Sequence, residues 1–553
     1  MEVRGELIKE IQKITAELSD KSVEIKVDVP TDLTKGDFST NIAMRLGGNP
    51  IEIAEKIKQA LEKSEIAAKF NKIEIAKPGF INFYLFDSEI INQSLSLFAK
   101  NKTKSGDELI LEFGDLNPFK EPHLGHVRNL VLGESLARLK ESEGNDVIRA
   151  NYEGDVGMHV AKCIWGIINS KDFDEFKNRS LEERAKYLGR CYSSGAKAFE
   201  EDENAKKEIT DINIKIYQKD SQVIEIWEKG REWSLEYFEE LYKILGVKYK
   251  KYYFESETAP VGKMIVEENV GKVFKTDDGA IIFRGEDHGL HTRVFVTKEK
   301  NVTYEGKDLA LAVMKNEDFP NAKSIIMTAN EQTEYFKVLL KALGLTDEKI
   351  ATKTSHLSYG FINLKEGKMS SRTGNIVSAF WLIEEVSKRL KEGFREVPAE
   401  VLEGLTVASV KWAMLKFSRE SNISFSIDES IQIEGNSGPY MLYAYARTQS
   451  LLEKASNADF EAKLREKIQP ELVALLRIVC QFEIVINESS RNFSPNILTN
   501  YLYILAQNFN QFYEKEKVVG SANEDEKMAV INIVGKTLKN GLYLLGIEAP
   551  KKI

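Results

Sequence analysis

Cysteine is what this chain has least of. Cys163, Cys191 and Cys480 are scattered through 553 residues, and no two stand at C-x-x-C spacing. That excludes a disulfide framework and a cysteine-rich zinc site and fits a reducing compartment. Nowhere do eighteen apolar residues follow one another, so no membrane span is expected. The opening MEVRGELIKEIQKITAEL reads as a charged amphipathic helix without a signal peptide's apolar core, and a cytoplasmic protein is expected. A basic excess is missing too. The net charge of −9 does not predict a nucleic-acid binder, although a negative total leaves room for a local basic groove. With 42% apolar and 29% charged residues the composition is that of a globular chain, and its length predicts about three or four domains.

What is present is concentrated between Leu109 and Gly144, LILEFGDLNPFKEPHLGHVRNLVLGESLARLKESEG. Leu109, Ile110 and Leu111 form a short apolar run suited to a buried parallel strand, with Glu112 near its end. Asn117, Pro118 and Pro122 break the chain, and Gly125 permits a tight turn. From His126 onward, Val127, Leu130, Val131, Leu136, Ala137 and Leu139 recur at helical spacing. His123 and His126 therefore sit where a strand hands over to a helix N-terminus. Free N–H groups and the helix dipole favour phosphate there, and open α/β sheets bind ligands at that edge. On its own, HLGH reads equally as a pair of metal ligands or a solvated turn.

A second motif, GKMSSRTGN at Gly367–Asn375, follows a predicted strand at Ser358–Leu364 and is rich in glycine, serine and cations. In this order the two motifs resemble the HIGH and KMSKS signatures of class I aminoacyl-tRNA synthetases. The reaction of that family explains the residue types. Attack of an amino-acid carboxylate on the α-phosphate of ATP builds charge on phosphoryl oxygens and pyrophosphate. Little proton transfer is needed, so catalysis rests on positioning and on donors. The resemblance implies ATP as substrate together with Mg²⁺, and no tightly bound metal. It gives catalytic roles to His123, His126, Lys368 and Lys120, and ATP contacts to His123, Gly125, His126, Lys368, Met369, Ser370 and Ser371. The loop departs from the general pattern, with Ser371, followed by Arg372, at the second lysine. Many arginyl-tRNA synthetases share that loss and carry a lysine just ahead of the first signature, a place Lys120 matches.

Residues 1–100 predict a small α+β domain. Within it, KGDFSTNIAM (Lys35–Met44) and AKPGFINFYL (Ala76–Leu85) read as a turn at Gly79 with Phe80, Ile81 and Phe83 packing. Both are also similar to the N-terminal domain of arginyl-tRNA synthetases, which contacts the outer corner of the tRNA. Asp146–Ala150 predicts a second strand, and NYEGDVGMHVAK (Asn151–Lys162) a loop opening a helix. Asp155 is read there as a helix cap, as part of the family's substrate-enclosing loop, or as both; His159 stands where the family often has Gln. Lys171–Gly246 is charged and helical, an insertion with Ile212, Ile216, Val223, Ile226, Trp227 and Trp233 as core positions. Strands resume at Gly279–Gly285 and Arg293–Thr297, and Ile325–Met327 is a third. His288 and His291 repeat the HxxH spacing, where a polar hairpin tip is a cheaper explanation than a metal site. From Val377 the pattern is helical. Gly438–Leu452, Tyr501–Val519 and Asn540–Pro550 resemble the helical anticodon-binding domain of arginyl and related synthetases. Tyr440, Tyr445, Arg447, Phe509 and Tyr513 are candidate tRNA contacts, against the alternative of core aromatics.

The resemblance to arginyl-tRNA synthetases thus spans nearly the whole chain. It implies a doubly wound, parallel-sheet (Rossmann-like) α/β catalytic domain over 107–395 with a helical insertion at about 171–250. An α+β domain over 1–100 precedes it, and a helical stem over 396–435 and an all-α anticodon-binding domain over 436–553 follow. Charge gives an independent reason for arginine. A guanidinium is planar, permanently charged and best held by carboxylates. Glu112 in an apolar strand would be costly if buried without a cationic partner, and Asp308 begins an apolar helix on the same side of the predicted sheet. The family surrounds arginine with Glu, Asn, Tyr and Asp, matched here by Glu112, Asn117, Tyr304 and Asp308, with Gln332 a looser match. The alternative on the residues alone is an exposed strand edge for Glu112 and a helix cap for Asp308, and the pocket is the favoured reading. The expected partners are the arginine tRNA, ATP and L-arginine, with no membrane, and the chain is expected to be monomeric. Another class I synthetase, a tRNA-binding paralogue without catalysis, and a metal-dependent hydrolase using the HxxH pairs are the competing readings.

Overall fold

The computed structural model describes residues 2–19, 21, 23–30, 32–98, 106–365, 377–394, 396–455, 464 and 468–553. The motif loop bearing Lys368, Met369, Ser370 and Ser371 therefore lies outside the described residues.

The N-terminal unit packs the helix Glu2–Leu18 and the helix Pro50–Leu61 on an antiparallel sheet of β1 (Phe38–Thr40), β2 (Phe70–Ala76) and β3 (Phe80–Leu85), in the order β1-β3-β2. Alternation decides its inner face: Ile81, Phe83 and Leu85 are buried in β3. The central unit contains β4 (Glu108–Glu112), β5 (Asp146–Glu153), β6 (Lys251–Phe254), β7 (Lys275–Asp277), β8 (Ala280–Phe283), β9 (Arg293–Val296), β10 (Lys323–Ala329) and β11 (Thr354–Tyr359). Five of these form one parallel sheet ordered β11-β10-β4-β5-β6. β4 leads through the helix Leu124–Ser142 to β5 on one side, and β10 returns on the other. The order reverses at β4, and the crevice beyond its carboxyl end is where such a sheet receives a ligand.

The strands expected over 279–285 and 293–297 are present, outside the parallel sheet. Asp278 and Gly279, both at positive φ, turn β7 tightly into β8, and β7, β8 and β9 form a separate antiparallel sheet. β6 falls beyond the stretch read as helical insertion and carries no apolar run long enough to announce it. The strand expected over Ser358–Leu364 is two, β11 and then β12 (Ile362–Leu364), which pairs with β13 (Ile423–Phe425). The break falls at Gly360, where a Cβ would stand 2.3 Å from the carbonyl oxygen of Ser421.

Four helices, Met158–Ser170, Leu181–Glu201, Glu203–Gln218 and Ile224–Ile244, build a second core around Ile164, Leu188, Ile209 and Trp233. The insertion thus recruits the helix preceding Lys171. The C-terminal bundle packs the helix Gly438–Glu453 against the helices Pro495–Lys515 and Glu524–Leu544. It is fastened to the rest at both ends. Arg477 pairs with Asp37 (2.5 Å) and Asp87 (3.0 Å) of the N-terminal region, and the Ser135 hydroxyl donates to the Leu544 carbonyl (3.1 Å). Among the described residues no helix is long and apolar enough to cross a membrane.

Candidate active site

The corner after β4 is set by local hydrogen bonding. His123 caps the helix Leu124–Ser142. The His123 N–H donates to His126 Nδ1 (3.1 Å), the Gly125 N–H donates to His123 Nδ1 (3.1 Å), and the rings stack with centroids 3.7 Å apart. Because a backbone amide must be the donor, each Nδ1 is the acceptor, and each ring carries its proton on Nε2. Burial, with Lys120 nearby, pushes both imidazoles below their usual pKa, His126 the further. At neutral pH this corner therefore offers neutral N–H donors at a helix N-terminus. Gly125 has a steric role as well, since a Cβ there would lie 3.0 Å from the His123 ring.

These residues line a cleft of about 470 Å³ with Gly114, Asp115, Asn117, Asn129, Gln332, Tyr359, Leu364 and Val377. Leu364 and Val377 flank the second motif, and its return is stitched to the first. The Leu124 N–H donates to the Val377 carbonyl (2.9 Å) and the Ala379 N–H to the Pro122 carbonyl (2.9 Å). Two buried side chains that sequence reasoning missed hold this arrangement. Asn129 accepts from the Gly114 N–H (2.8 Å) and donates to Met327 and Tyr359. Arg128, 1% exposed, donates to the carbonyls of Gly360, Met414, Arg419 and Ser421 at 3.0–3.3 Å. An arginine in an apolar helical face is the only sequence signal for such a role, and it does not name the partners.

The acids lie beneath the cleft rather than in its wall. Glu112 is buried, but it already has a cation: Lys315, 1% exposed, donates to its carboxylate at 2.5 Å. The cationic partner that a buried Glu112 requires is therefore supplied from within the protein. Lys315 stands seven residues after Asp308 on the helix Tyr304–Asp318, close to two turns on and so on the same face. Asp308 accepts from the Tyr335 hydroxyl (2.6 Å), and burial with Glu112 close by pushes its carboxyl up to about 7. Asp308 is thus no helix cap, and Glu112 is no exposed edge. A second buried pair, Lys307 with Glu255 (2.6 Å), stands next to it. Tyr304, by contrast, is 56% exposed, with the Lys307 ammonium 5.1 Å from its ring centre. Asn117 and Gln332 line the cleft.

Asp155 caps neither its own loop nor the helix that follows. Its carboxylate accepts from the Ser256 N–H (2.8 Å) and hydroxyl (2.7 Å) and from Arg231 (2.8 Å), tying the loop to the insertion. His159 bonds the Gly154 carbonyl (2.8 Å), and burial lowers it to about 3, so it is a neutral strut. Lys120 does not line the cleft. Its ammonium lies 4.9 Å from the centre of the Tyr192 ring on the insertion. His288 and His291 are exposed, with His288 stacked on Phe283, and the described residues hold no cluster of three or more metal-ligating side chains.

In the bundle, Tyr445 (2% exposed) and Phe509 (0%) are core, so neither has a face for a base, and both are withdrawn as tRNA contacts. Aromatic spacing alone does not separate inward from outward rings. Tyr440 is half-buried. Arg447 donates to Asn510 (2.6 Å) and lies 4.6 Å from the centre of the exposed Tyr513 ring.

Comparison with known proteins was made on sequence and on fold. Residues 2–85 match the arginyl tRNA synthetase N terminal domain, 89–427 the class I (R) tRNA synthetase catalytic domain, and 441–553 the DALR anticodon binding domain. The arginine–tRNA ligase of Borreliella burgdorferi is 30% identical over 95% of this chain and 94% of its own length. That of Fusobacterium nucleatum is 30% identical over 96% and 95%. The arginyl-tRNA synthetase of Thermus thermophilus shares the fold, with a TM-score of 0.81 at 22% identity and all of both chains covered.

Proposed function

Since this chain belongs to the arginyl-tRNA synthetase family of class I enzymes, we propose that its cleft condenses ATP with L-arginine to an enzyme-bound arginyl adenylate. The chain ligates arginine to tRNA, a step of translation. The single observation that carries the adenylate reading is convergence: the two neutral histidines and both flanks of the second motif line one cleft where the sheet order reverses.

The residues divide the work by charge. His123 and His126 present Nε2–H donors, and with the helix N-terminus they hold phosphate oxygens as charge grows on them. Lys368 contacts the pyrophosphate as charge develops, with Met369, Ser370 and Ser371 as further ATP contacts, while Lys120 swings off Tyr192 to replace the second lysine that the motif lacks. Mg²⁺ enters bound to the nucleotide phosphates. Asp308 and Glu112 face the guanidinium, with Asn117, Tyr304 and Gln332 around the rest of the amino acid. Adenylate formation releases pyrophosphate, and transfer of the arginyl group to the terminal adenosine then gives the charged tRNA and AMP. In the bundle, Tyr440, Arg447 and Tyr513 form the RNA-facing set, and the domain bounds stay at 1–100, 107–395, 396–435 and 436–553.

The test is ATP–pyrophosphate exchange with each amino acid in the presence of tRNA. Exchange with arginine alone is expected. Exchange with another amino acid overturns the assignment, and RNA binding without exchange supports a paralogue that has lost catalysis.

A further inference from the structure

Two carboxylates near the cleft keep a buried oxygen without a hydrogen-bond partner among the described residues, Asp115 in its wall and Glu153 behind it. Glu153 closes β5 and is 0% exposed. Both of its bonds fall on one oxygen. Oε1 accepts from Asn151 Nδ2 (2.7 Å) and from the Tyr242 hydroxyl (3.1 Å), while Oε2 has no partner. An ionised carboxylate spreads its charge over both oxygens and needs donors at each, whereas a neutral acid has one accepting oxygen and one hydroxyl. The geometry fits the neutral acid, with the proton on Oε2. Burial pushes the carboxyl up to about 8, against the pull of Tyr242 and Arg231. Around it stand Arg231, Glu239 and Tyr242 from the helix Ile224–Ile244, Asp155 from the loop after β5, Tyr249 ahead of β6 and Tyr252 within it. Arg231, the cation of that set, donates to Asp155 instead (2.8 Å).

Asn151 stands two residues earlier, on the same face of β5, and the two ends of its amide have opposite duties. Nδ2 donates to Glu153 and to the Tyr242 oxygen (2.9 Å), which turns Oδ1 toward the Asp115 N–H that donates to it (3.0 Å). Were the amide reversed, its NH₂ group would face that N–H and the bond would be lost. Glu153 and Tyr242 thus decide which way Asn151 points. At stake is a turn in an uncommon conformation, with Gly114 at φ +102° and Asp115 at φ +50°. A Cβ at residue 114 would lie 3.0 Å from Asn151 Oδ1 and 2.3 Å from the Tyr249 oxygen. Both residues line the cleft beside Asn117 and His123.

We propose that Glu153 is a positioning residue for arginine activation, orienting Asn151 and through it the cleft-lining turn, an assignment that rests on the arginine-activating reading above. Tyr242 makes the helical insertion a party to this. The insertion's last helix reaches the cleft wall along one path of hydrogen bonds, from Tyr242 to Glu153, Asn151 and the Asp115 amide. Once Glu153 ionises, its second oxygen needs a donor, and the side chain must leave this arrangement to find one.

The readout is the pH profile of kcat for arginine-dependent pyrophosphate exchange with tRNA present, with urea midpoints measured alongside. In the unaltered enzyme kcat is expected to fall as pH rises through about 8, where Glu153 ionises. Glu153→Gln keeps an accepting oxygen and cannot ionise, so the alkaline fall should vanish. Glu153→Ala releases Asn151 and should lower kcat at pH 7 roughly tenfold to hundredfold, a loss that the Gln variant rescues. Tyr242→Phe removes a donor that favours the ionised form, so the fall should move to higher pH. An alkaline fall that is missing from the unaltered enzyme, or that persists in Glu153→Gln, overturns the assignment. So does a Gln variant as slow as Ala, or an Ala variant with full kcat at equal folded fraction. If Ala does not fold, the Gln and Tyr242→Phe profiles still decide. An unaltered enzyme that shows no exchange with arginine sinks the activation reading itself, whereas normal exchange with any of the contrary profiles removes only the role of Glu153.

Discussion

The two ends of the cleft are polar in opposite ways. At the histidine corner, the groups are neutral, drawn from a few consecutive residues, and oriented by backbone amides that they accept from. At the acid end, the groups are charged, buried and gathered from β4 and the helices Tyr304–Asp318 and Glu255–Glu268, each with an internal partner. A neutral donor costs little to bury once its second nitrogen is satisfied, whereas a buried charge demands a partner before any ligand arrives. Substitutions at the first end should therefore be felt in turnover, and at the second end in folding and in the affinity for one substrate.

The largest expected effect is at the acid end. Lys315→Met strands Glu112 without a cation and should destabilise the catalytic unit by roughly 3–5 kcal/mol, read as a fall in the urea midpoint. Adding Glu112→Gln should restore most of it, and a double variant as unstable as the single would mean the pair is not the source. At the histidine end, His126→Ala should leave the urea midpoint near its starting value and lower exchange turnover by about 10²–10³, with the arginine KM unmoved. Next comes pH. Burial pushes Asp308 up to about 7, so it is protonated below that, while the guanidinium stays charged throughout. The kcat/KM for arginine should therefore climb by up to about tenfold per unit from pH 6 toward 7 and level off above it, with the KM for ATP flat. A flat arginine profile would remove Asp308 from guanidinium binding. Smallest is Lys120→Ala, a cation already partly spent on Tyr192, expected to slow exchange about fivefold. No change would leave pyrophosphate to the second motif alone.

How much of this was readable in the sequence follows the same division. The corner is contiguous, so strand, break, glycine and helix could be placed by spacing, and the histidines fell where the helix begins. Tyr304 and Asp308, four residues apart, could be placed on one helix. Lys315 was invisible as a partner because nothing in the chain says which helix face will meet the end of β4. Nothing in the sequence singles out Asp115, since only coordinates reveal its positive φ and its unpartnered buried oxygen. Tyr445 and Phe509 went wrong for a related reason: aromatic repeats fix the spacing of a face, not whether RNA or protein covers it.

Arg128 has a mechanical consequence. Its one flat head gathers carbonyls from the turn ahead of β12, from the tail of the stem helix Ala399–Leu415 and from the loop after it, while its own helix begins at the histidine corner. A displacement of the stem must either snap that whole fan of bonds or carry the nucleotide corner with it. The stem and the chemistry are thereby geared through this side chain, and the play in that gear is the slack in its four hydrogen bonds.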